Sequence, residues 1–188
     1  MQPGLAFLLL WAGWVLSWYG ASFWSAKTEK VATGGGQIYR LIMLIGAIIF
    51  FIPAHGYEGR MRFWHIGLTG AWICVALTAA GIAFAWWARI YLGKLWSGAV
   101  TKKEGHHVVD TGPYGIVRHP IYTGLLFAVF ATLAAKGTLY GIVGAALVTI
   151  GVTLKARLEE RFLAAELGEE AYGAYQRRVP MLIPFGPK

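Results

Sequence analysis

Long apolar stretches constrain this chain more than any other feature of its sequence. A bilayer core about 30 Å thick needs roughly 20 apolar residues in an α-helix, and five stretches qualify or nearly qualify. They run over about Leu5–Trp24, Ile38–Pro53, Trp64–Ala88, Tyr122–Ala135 and Leu139–Leu154. Only 14% of the residues are charged, whereas soluble domains carry about 25%. The sequence therefore predicts an all-α fold, a polytopic membrane helical bundle of about five transmembrane helices.

The sequence also predicts how two of these spans are connected. Only Lys136, Gly137 and Thr138 separate the fourth span from the fifth, which is typical of a tight helical hairpin. The spans are rich in glycine and alanine, especially over residues 141–151, and small residues let helices approach closely in lipid. We therefore expect close helix packing, and we assign no chemistry to these glycines.

The distribution of Lys and Arg predicts the orientation of the bundle. With the N-terminus outside and the C-terminus in the cytoplasm, only Arg60, Arg62 and Lys136 lie outside. The other fourteen of the 17 basic residues lie inside, namely Lys27, Lys30, Arg40, Arg89, Lys94, Lys102, Lys103, Arg118 and the six from Lys155 onward. Cytoplasmic loops carry such an excess, so the sequence predicts an integral, multi-pass protein in this orientation, in the inner (plasma) membrane of a bacterial source.

The charge and the single cysteine restrict the classes of partner. The net charge of +8 comes from loops and the tail, where anionic lipid headgroups are a simpler partner than nucleic acid. Cys74 is the only cysteine, so neither an intrachain disulfide nor a cysteine metal site can form. No carboxylate lies at zinc-motif spacing from the histidines His106, His107 and His119. We therefore expect membrane lipids as neighbours, and neither nucleic acid nor metal.

The polar residues concentrate in two segments on the predicted inner side. One is the loop from Arg89 to Pro120, and the other is the tail from Lys155 to Lys188. Because both lie on one side of the membrane, we expect them to meet and form the site. The tail contains the adjacent acids Glu159 and Glu160, which are costly near a bilayer unless they are paired or hydrated. A salt-bridged helix end remains an alternative interpretation of these acids.

An ordered set of short motifs in these segments resembles a known family. The set comprises Trp96-Ser97, His106-His107-Val108-Val109, Gly112-Pro113-Tyr114, Arg118-His119-Pro120-Ile121-Tyr122-Thr123-Gly124, Glu159-Glu160 and Arg178-Val179-Pro180. In combination it resembles the isoprenylcysteine carboxyl methyltransferase family, which belongs to a wider group with phospholipid N-methyltransferases. The resemblance covers about Ala88 to Pro184. It implies a single membrane domain over 1–188, with N-terminal transmembrane helices over 1–88 and a methyltransferase-like catalytic half over 89–188.

The resemblance implies S-adenosyl-L-methionine as the cofactor, bound without a Rossmann domain. By position, the adenosine end would be held by His106, His107, Val108 and Val109. The rest of the cofactor would be lined by Tyr114, His119, Pro120, Ile121 and Tyr122. Glu159 matches a family acid on the substrate side, its companion base matches Lys155, and Arg157 is a second candidate for that base. The His106-His107 pair and Val108 depart mildly from the usual family residues.

The chemistry of these side chains suggests further roles. Arg118 or His119 could pair with the cofactor carboxylate, and Glu159 or Glu160 could pair with its ammonium group. Aromatic faces can hold a sulfonium cation, and Tyr114, Tyr122 and Trp96 are candidates, although they could equally be interfacial anchors. An amine or phenol acceptor would need a proton acceptor, for which His119 or Glu159 could serve.

The leading hypothesis is therefore an integral membrane methyltransferase for a lipophilic small-molecule or lipidated substrate. O-, N- and S-methylation are all compatible with the fold. The alternatives are a phospholipid N-methyltransferase, an NADPH-dependent sterol-type reductase, or a non-catalytic membrane scaffold.

Overall fold

The computed structural model describes residues 2–32, 36–52 and 61–187. Within these ranges the chain forms six α-helices and one two-stranded antiparallel ribbon. The helices are α1 (Pro3–Ser22), α2 (Gly36–Phe50), α3 (Gly67–Leu92), α4 (Pro120–Lys136), α5 (Leu139–Leu167) and α6 (Glu169–Arg178), and the strands are β1 (Thr28–Val31) and β2 (Thr101–Lys103). The prediction of an all-α membrane bundle is confirmed.

Each of the helices α1 to α5 overlaps one of the five predicted spans. By length and apolar composition, α1, α3 and α5 are able to cross a membrane, while α2 and α4 are shorter apolar helices. Large apolar side chains such as Leu16 and Leu68 are exposed on these helices, as lipid contact requires. The predicted end of the second span at Pro53 lies outside the described residues, as does Arg60.

Helix α5 continues well beyond the predicted end of its span at Leu154. The next thirteen residues, through Leu167, are dominated by Ala, Leu, Glu and Arg, which are strong helix formers. The hydropathy pattern ends at the first charged residue, Lys155, whereas the hydrogen-bonded helix does not. This extension carries both candidate acids, Glu159 and Glu160, on one rigid element.

Glycines bring the helices into backbone contact in two antiparallel pairs. At the α3–α4 contact, a Cβ added to Gly81 would lie 2.6 Å from the carbonyl oxygen of Gly124, and one added to Gly124 would lie equally close to that of Gly81. At the α2–α5 contact, a Cβ on Gly144 would lie 2.5 Å from the backbone nitrogen of Phe50. These pairs are the principal helix contacts of the bundle, so the α4–α5 hairpin is held mainly by α3 and α2.

At one end of the bundle, called the hairpin end, α2 and α4 end and α3 and α5 begin. The Lys136 ammonium there donates to the carbonyl oxygens of Phe50 and Ile52. Trp64 Nε1 donates to the carbonyl oxygen of Ala134 at 2.8 Å. Thr138 caps α5 by accepting from the Gly141 N–H at 3.1 Å. The polar groups at this end therefore satisfy free backbone groups where helices end.

The opposite end, called the ribbon end, holds β1, β2 and α6. Arg89 at the end of α3 is fully buried and donates to the carbonyl oxygens of Ala21 and Trp24 at 2.7 and 2.9 Å. Its guanidinium also lies 4.6 Å from the ring centroid of Trp96. Arg89 thus fastens the end of α1 to α3 and positions Trp96, which lies beside the site.

Candidate active site

A cleft at the ribbon end is formed where the inner loop meets the tail. It contains about 830 Å³ of empty space, part of it open to solvent. The end of α3, strand β2, the start of α4, and helices α5 and α6 all contribute to its walls. The predicted site residues that line it are His106, His107, Val108, Val109, Tyr114, Arg118, His119, Pro120, Ile121, Tyr122 and Glu159.

Three of the predicted site residues do not line the cleft. Glu160 and Lys155 are buried behind its wall, and Arg157 is exposed on another face of α5. Their positions follow from the helix geometry, because Arg157 lies two residues from Glu159 and therefore projects to the opposite side. Lys155 lies four residues from Glu159 and shares its face.

The segment His106–Val109 lines the cleft and contains backbone groups that form no hydrogen bonds within the described part of the chain. The His106 N–H donates to the Lys103 carbonyl oxygen at 3.0 Å, which turns the chain after β2. The N–H and carbonyl groups of His107, Val108 and Val109 form no hydrogen bonds with other described residues. A row of unpaired peptide groups along a cleft wall is suited to binding a polar, uncharged ligand such as a nucleoside.

Glu160 connects the start of α4 to the tail. Its carboxylate accepts from Arg118 Nε at 2.6 Å and from Gln176 Nε2 at 3.1 Å, and lies 3.0 Å from His119 Nε2. Arg118 also donates to the carbonyl oxygens of Gln176 and Val179. Most of the Arg118 donors are therefore used within the protein, and Glu160 holds α4, α5 and α6 together.

His119 and Glu159 form the polar part of the cleft wall. The His119 ring is stacked on the Tyr122 ring, with centroids 5.4 Å apart and planes inclined by 9°. Its Nδ1 lies 3.6 Å from a Glu159 carboxylate oxygen, and the Tyr122 hydroxyl donates to Glu159 at 2.8 Å. The structure thus places an imidazole, a phenol and a carboxylate together at the start of α4.

Lys155 acts on this group from behind the wall. Its ammonium donates to the Gly98 carbonyl oxygen at 3.1 Å and lies 3.8 Å from Glu159. It also lies 5.3 Å from the ring centroid of Tyr122 and 5.8 Å from that of Tyr39. Lys155 therefore balances the Glu159 charge without occupying the cleft.

Aromatic side chains from the tail complete the cleft. Tyr172 and Tyr175 on α6 line it together with Tyr114, and the Tyr175 hydroxyl donates to the Tyr114 carbonyl oxygen at 2.8 Å. Burial raises the pKa of all three tyrosines above its ordinary value, so each remains a neutral phenol at pH 7.

The sequence did not assign several lining residues to the site. They are Leu92, Leu95, Ser97, Ala99, Val100, Thr101, Leu163, Leu167, Tyr172 and Tyr175. The spacing of Tyr172 and Tyr175 by three residues on a short amphipathic helix was a usable signal, because such residues share one face. No comparable signal marks Thr101 or Leu163. In the part of the chain that the structure describes, no three His, Cys, Asp or Glu side chains group to hold a metal.

Comparisons with known proteins agree with the motifs that line this cleft. Residues 73–165 match the sequence profile described as the isoprenylcysteine carboxyl methyltransferase (ICMT) family. The matched region begins within α3 and ends near the end of α5. It therefore includes all of the cleft except the part contributed by the last residues of α5 and by α6.

Individual relatives match either the cleft region or most of the chain. Methanethiol S-methyltransferase of Pseudomonas sp. (strain GM41(2012)) is 42% identical over 73 residues, which is 38% of this chain and 26% of that protein. Protein-S-isoprenylcysteine O-methyltransferase B of Arabidopsis thaliana is 28% identical over 151 residues, 78% of this chain and 74% of that protein. The cobalt-zinc-cadmium resistance protein CzcN of Cupriavidus metallidurans is 27% identical over 127 residues, 66% of this chain and 56% of that protein.

These matches differ in extent. The chain spans about a quarter of the length of the methanethiol S-methyltransferases that it matches, so that similarity concerns the cleft region alone. The match to the plant O-methyltransferase extends over most of both chains. Taken with the family profile over residues 73–165, these findings show that the chain belongs to the isoprenylcysteine carboxyl methyltransferase family.

Proposed function

We propose that this chain is an integral membrane methyltransferase that uses S-adenosyl-L-methionine to methylate a lipophilic acceptor. The observation that carries the proposal is the cleft itself, which combines free peptide groups, aromatic faces and one carboxylate at the end of an apolar bundle. Family membership supports methyl transfer as the reaction.

The residues of the cleft fit the chemical groups of this cofactor. The unpaired peptide groups of His107–Val109 suit the hydrogen-bonding edges of an adenosine. Trp96, Tyr114 and Tyr122 offer aromatic faces that can hold a cation. Glu159 is the lining carboxylate that can pair with an ammonium group. When bound, the cofactor supplies an electrophilic methyl group on a positively charged sulfur.

The chain contributes positioning and a poorly hydrated environment. Leu92, Ile121 and Leu163 line the cleft with apolar side chains, and a poorly hydrated site favours a reaction in which positive charge is lost. His119 and Glu159 are placed to accept a proton from an acceptor that carries one. Lys155, close to Glu159, would hold that carboxylate in place and offset its charge from behind the wall.

We propose that the ribbon end faces the cytoplasm and the hairpin end faces outside, with both the loop and the tail on the cytoplasmic side. The excess of Lys and Arg at the ribbon end supports this orientation. The cofactor would then enter from the cytoplasm and the lipophilic acceptor from the bilayer. In a Cys74→Ala background, impermeant thiol labelling of intact cells should modify Arg62→Cys but not Lys102→Cys. The opposite pattern would reverse the orientation.

The central test measures binding and transfer on the detergent-solubilised chain. Calorimetry should detect S-adenosylmethionine and no comparable binding of NADPH, which would be the result for a sterol-type reductase. Radiolabelled methyl should then pass to one of three acceptors, namely a farnesylated cysteine analogue, methanethiol, or a lipid extract containing phosphatidylethanolamine. Absence of binding to both S-adenosylmethionine and its demethylated product would contradict the proposal.

A further inference from the structure

Thr101 contributes an unsatisfied hydroxyl to the wall of the cleft. The residue lines the cleft and is only 9% exposed. Its Oγ1 is buried and has no hydrogen-bond partner among the described residues. Buried hydroxyls in native proteins are almost always paired, because an unpaired one loses its hydrogen bonds to water. We therefore expect a bound ligand to supply the hydrogen-bond partner of this hydroxyl.

The backbone around Thr101 is held on both sides, so its position is fixed. Strand β2 pairs with β1, and Thr101 lies opposite Val31 in the ribbon. The ribbon is tied to α5 through Glu166, whose carboxylate lies 2.9 Å from the Lys30 ammonium and 3.9 Å from that of Lys102. A residue anchored in this way cannot easily move to find another partner, which is the property of a preorganised binding group.

Lys102 and Lys103, which follow Thr101, do not line the cleft, and the lining residues from Leu92 to Tyr114 include no Lys, Arg, Asp or Glu. Burial lowers the pKa of His106, and the neighbouring His107 and Lys102 lower it further, so the imidazole is neutral at pH 7. Its Nδ1 accepts from the Lys103 N–H at 3.4 Å, which leaves the proton on Nε2 as a donor. The charged side chains that line the cleft, Arg118 and Glu159, come from other elements.

We propose that the Thr101 hydroxyl is a cofactor-binding group that hydrogen-bonds the nucleoside part of S-adenosylmethionine. This inference rests on the proposed function. A nucleoside carries ribose hydroxyls and ring nitrogens that both donate and accept, and it has no charge. It therefore matches a wall built from a hydroxyl, a neutral imidazole and the free peptide groups of His107–Val109. The charged amino-acid end of the cofactor would be matched instead by Glu159 and its neighbours. Thr101 lies within the region that matches the family profile, and its strand pairs with β1, which lies outside that region.

The test uses three variants of the full chain and the demethylated product S-adenosylhomocysteine as the probe. Thr101→Val keeps the shape of the side chain and removes its hydroxyl, so binding should weaken about tenfold by calorimetry. Thr101→Ser keeps the hydroxyl and should bind within about threefold of wild type. Thr153→Val is the matched control, because Thr153 donates to the Thr149 carbonyl oxygen within α5 and does not line the cleft. It should leave binding unchanged.

Thermal unfolding without ligand separates binding from a structural role. Since Thr101→Val replaces an unpaired buried hydroxyl with a methyl group, the ligand-free variant should melt at or above the wild-type temperature. A lower melting temperature together with weaker binding would overturn the inference, because it would mean that the hydroxyl supports the fold. Wild-type affinity in Thr101→Val would overturn it while leaving the proposed function intact. Failure of the wild-type chain to bind S-adenosylhomocysteine would remove the proposed function and this inference together.

Discussion

The middle of the bundle and its ribbon end hold their elements together in different ways. In the middle, Gly81 meets Gly124, and towards the hairpin end Gly144 meets Phe50; both backbones are so close that an added Cβ would clash. At the ribbon end, the charged pair Arg118–Glu160 joins α4 and α5 to the tail around a cleft. Helices in lipid associate through shape, because the hydrophobic effect gives no preference for another helix over lipid. The aqueous end can use ionised groups, and this is where a site for a charged ligand can be built.

This comparison predicts different consequences for substitutions in the two regions. A change in the middle should reduce stability, and activity should be lost only as the fold is lost. A change in the cleft should reduce binding or transfer in a protein that remains folded.

The largest effect is expected at the polar group of the cleft. Glu159→Ala and His119→Ala should each lower methyl transfer by about 10²- to 10⁴-fold, the range typical of a lost proton-transfer or orienting group. Both proteins should still fold, because other residues pack the bundle. Rates should be measured by radiolabelled methyl transfer, with Glu104→Gln as the control, since Glu104 is exposed on the loop. Full activity in both cleft variants would remove these residues from the catalytic assignment.

The second largest effect is expected from breaking the buried pair at the ribbon end, which should lower the stability of the protein. The Arg118 and Glu160 side chains are only 6% and 11% exposed, and Glu160→Ala would leave a buried guanidinium unpaired. Such a loss costs about 3–5 kcal/mol, or a fall in melting temperature of roughly 6–20 °C for a chain of this size. The double variant Arg118→Met/Glu160→Leu removes both charges, so thermal unfolding should show partial recovery. If the single variant melts like wild type, the pair does not hold the tail.

A smaller loss of stability is expected at the glycine contacts between the helices. A Cβ on Gly144 would lie 2.5 Å from the Phe50 backbone nitrogen, whereas a Cβ on Gly13 would meet nothing within 4 Å. Gly144→Ala should therefore destabilise the protein by about 1–3 kcal/mol through overpacking. Gly13→Ala should be neutral or slightly stabilising, because it removes flexibility from the unfolded chain. Equal melting temperatures for the two variants would show that the helices do not pack at this glycine.

The sequence predicted the spans well because hydropathy is a local property. It predicted the approximate limits of α1 to α4, the start of α5 and the connection at Lys136–Thr138, but not the continuation of α5 beyond Leu154. It did not predict that α5 pairs with α2 and α4 with α3. That arrangement depends on which glycines face one another across the bundle, such as Gly81 with Gly124, and the number of possible pairings is large when many spans contain glycine.

The sequence predicted the cleft-lining residues that belong to recognisable motifs. The resemblance identified the loop and the start of α4, from His106 to Tyr122, and these residues do lie in one cleft. It assigned the substrate-side acid to Glu159, whereas the chemistry of the side chains left Glu159 and Glu160 as alternatives for the ammonium group of the cofactor. Neighbouring residues on a helix point about 100° apart, and only the packing decides which of them faces the cleft. The resemblance implied Lys155 as the companion of Glu159, with Arg157 as a second candidate, and the structure has Lys155 beside Glu159. Thr101 and Leu163 reach the cleft through tertiary contacts, which no local pattern records.

The smallest effect is expected at an exposed charged pair that also joins the loop to the tail. Arg178 donates to Asp110 at 2.6 Å, as close as Arg118 is to Glu160, but its side chain is 63% exposed. Water screens such a pair, so Arg178→Ala should cost less than about 1 kcal/mol, and the small difference in melting temperature should vanish in about 1 M salt. The two charged pairs would thus contribute unequally to stability at the same donor–acceptor distance, because only Arg118–Glu160 is buried. A loss as large as that of Glu160→Ala, unchanged by salt, would show instead that the Arg178–Asp110 contact fastens the tail and that burial does not distinguish the two pairs.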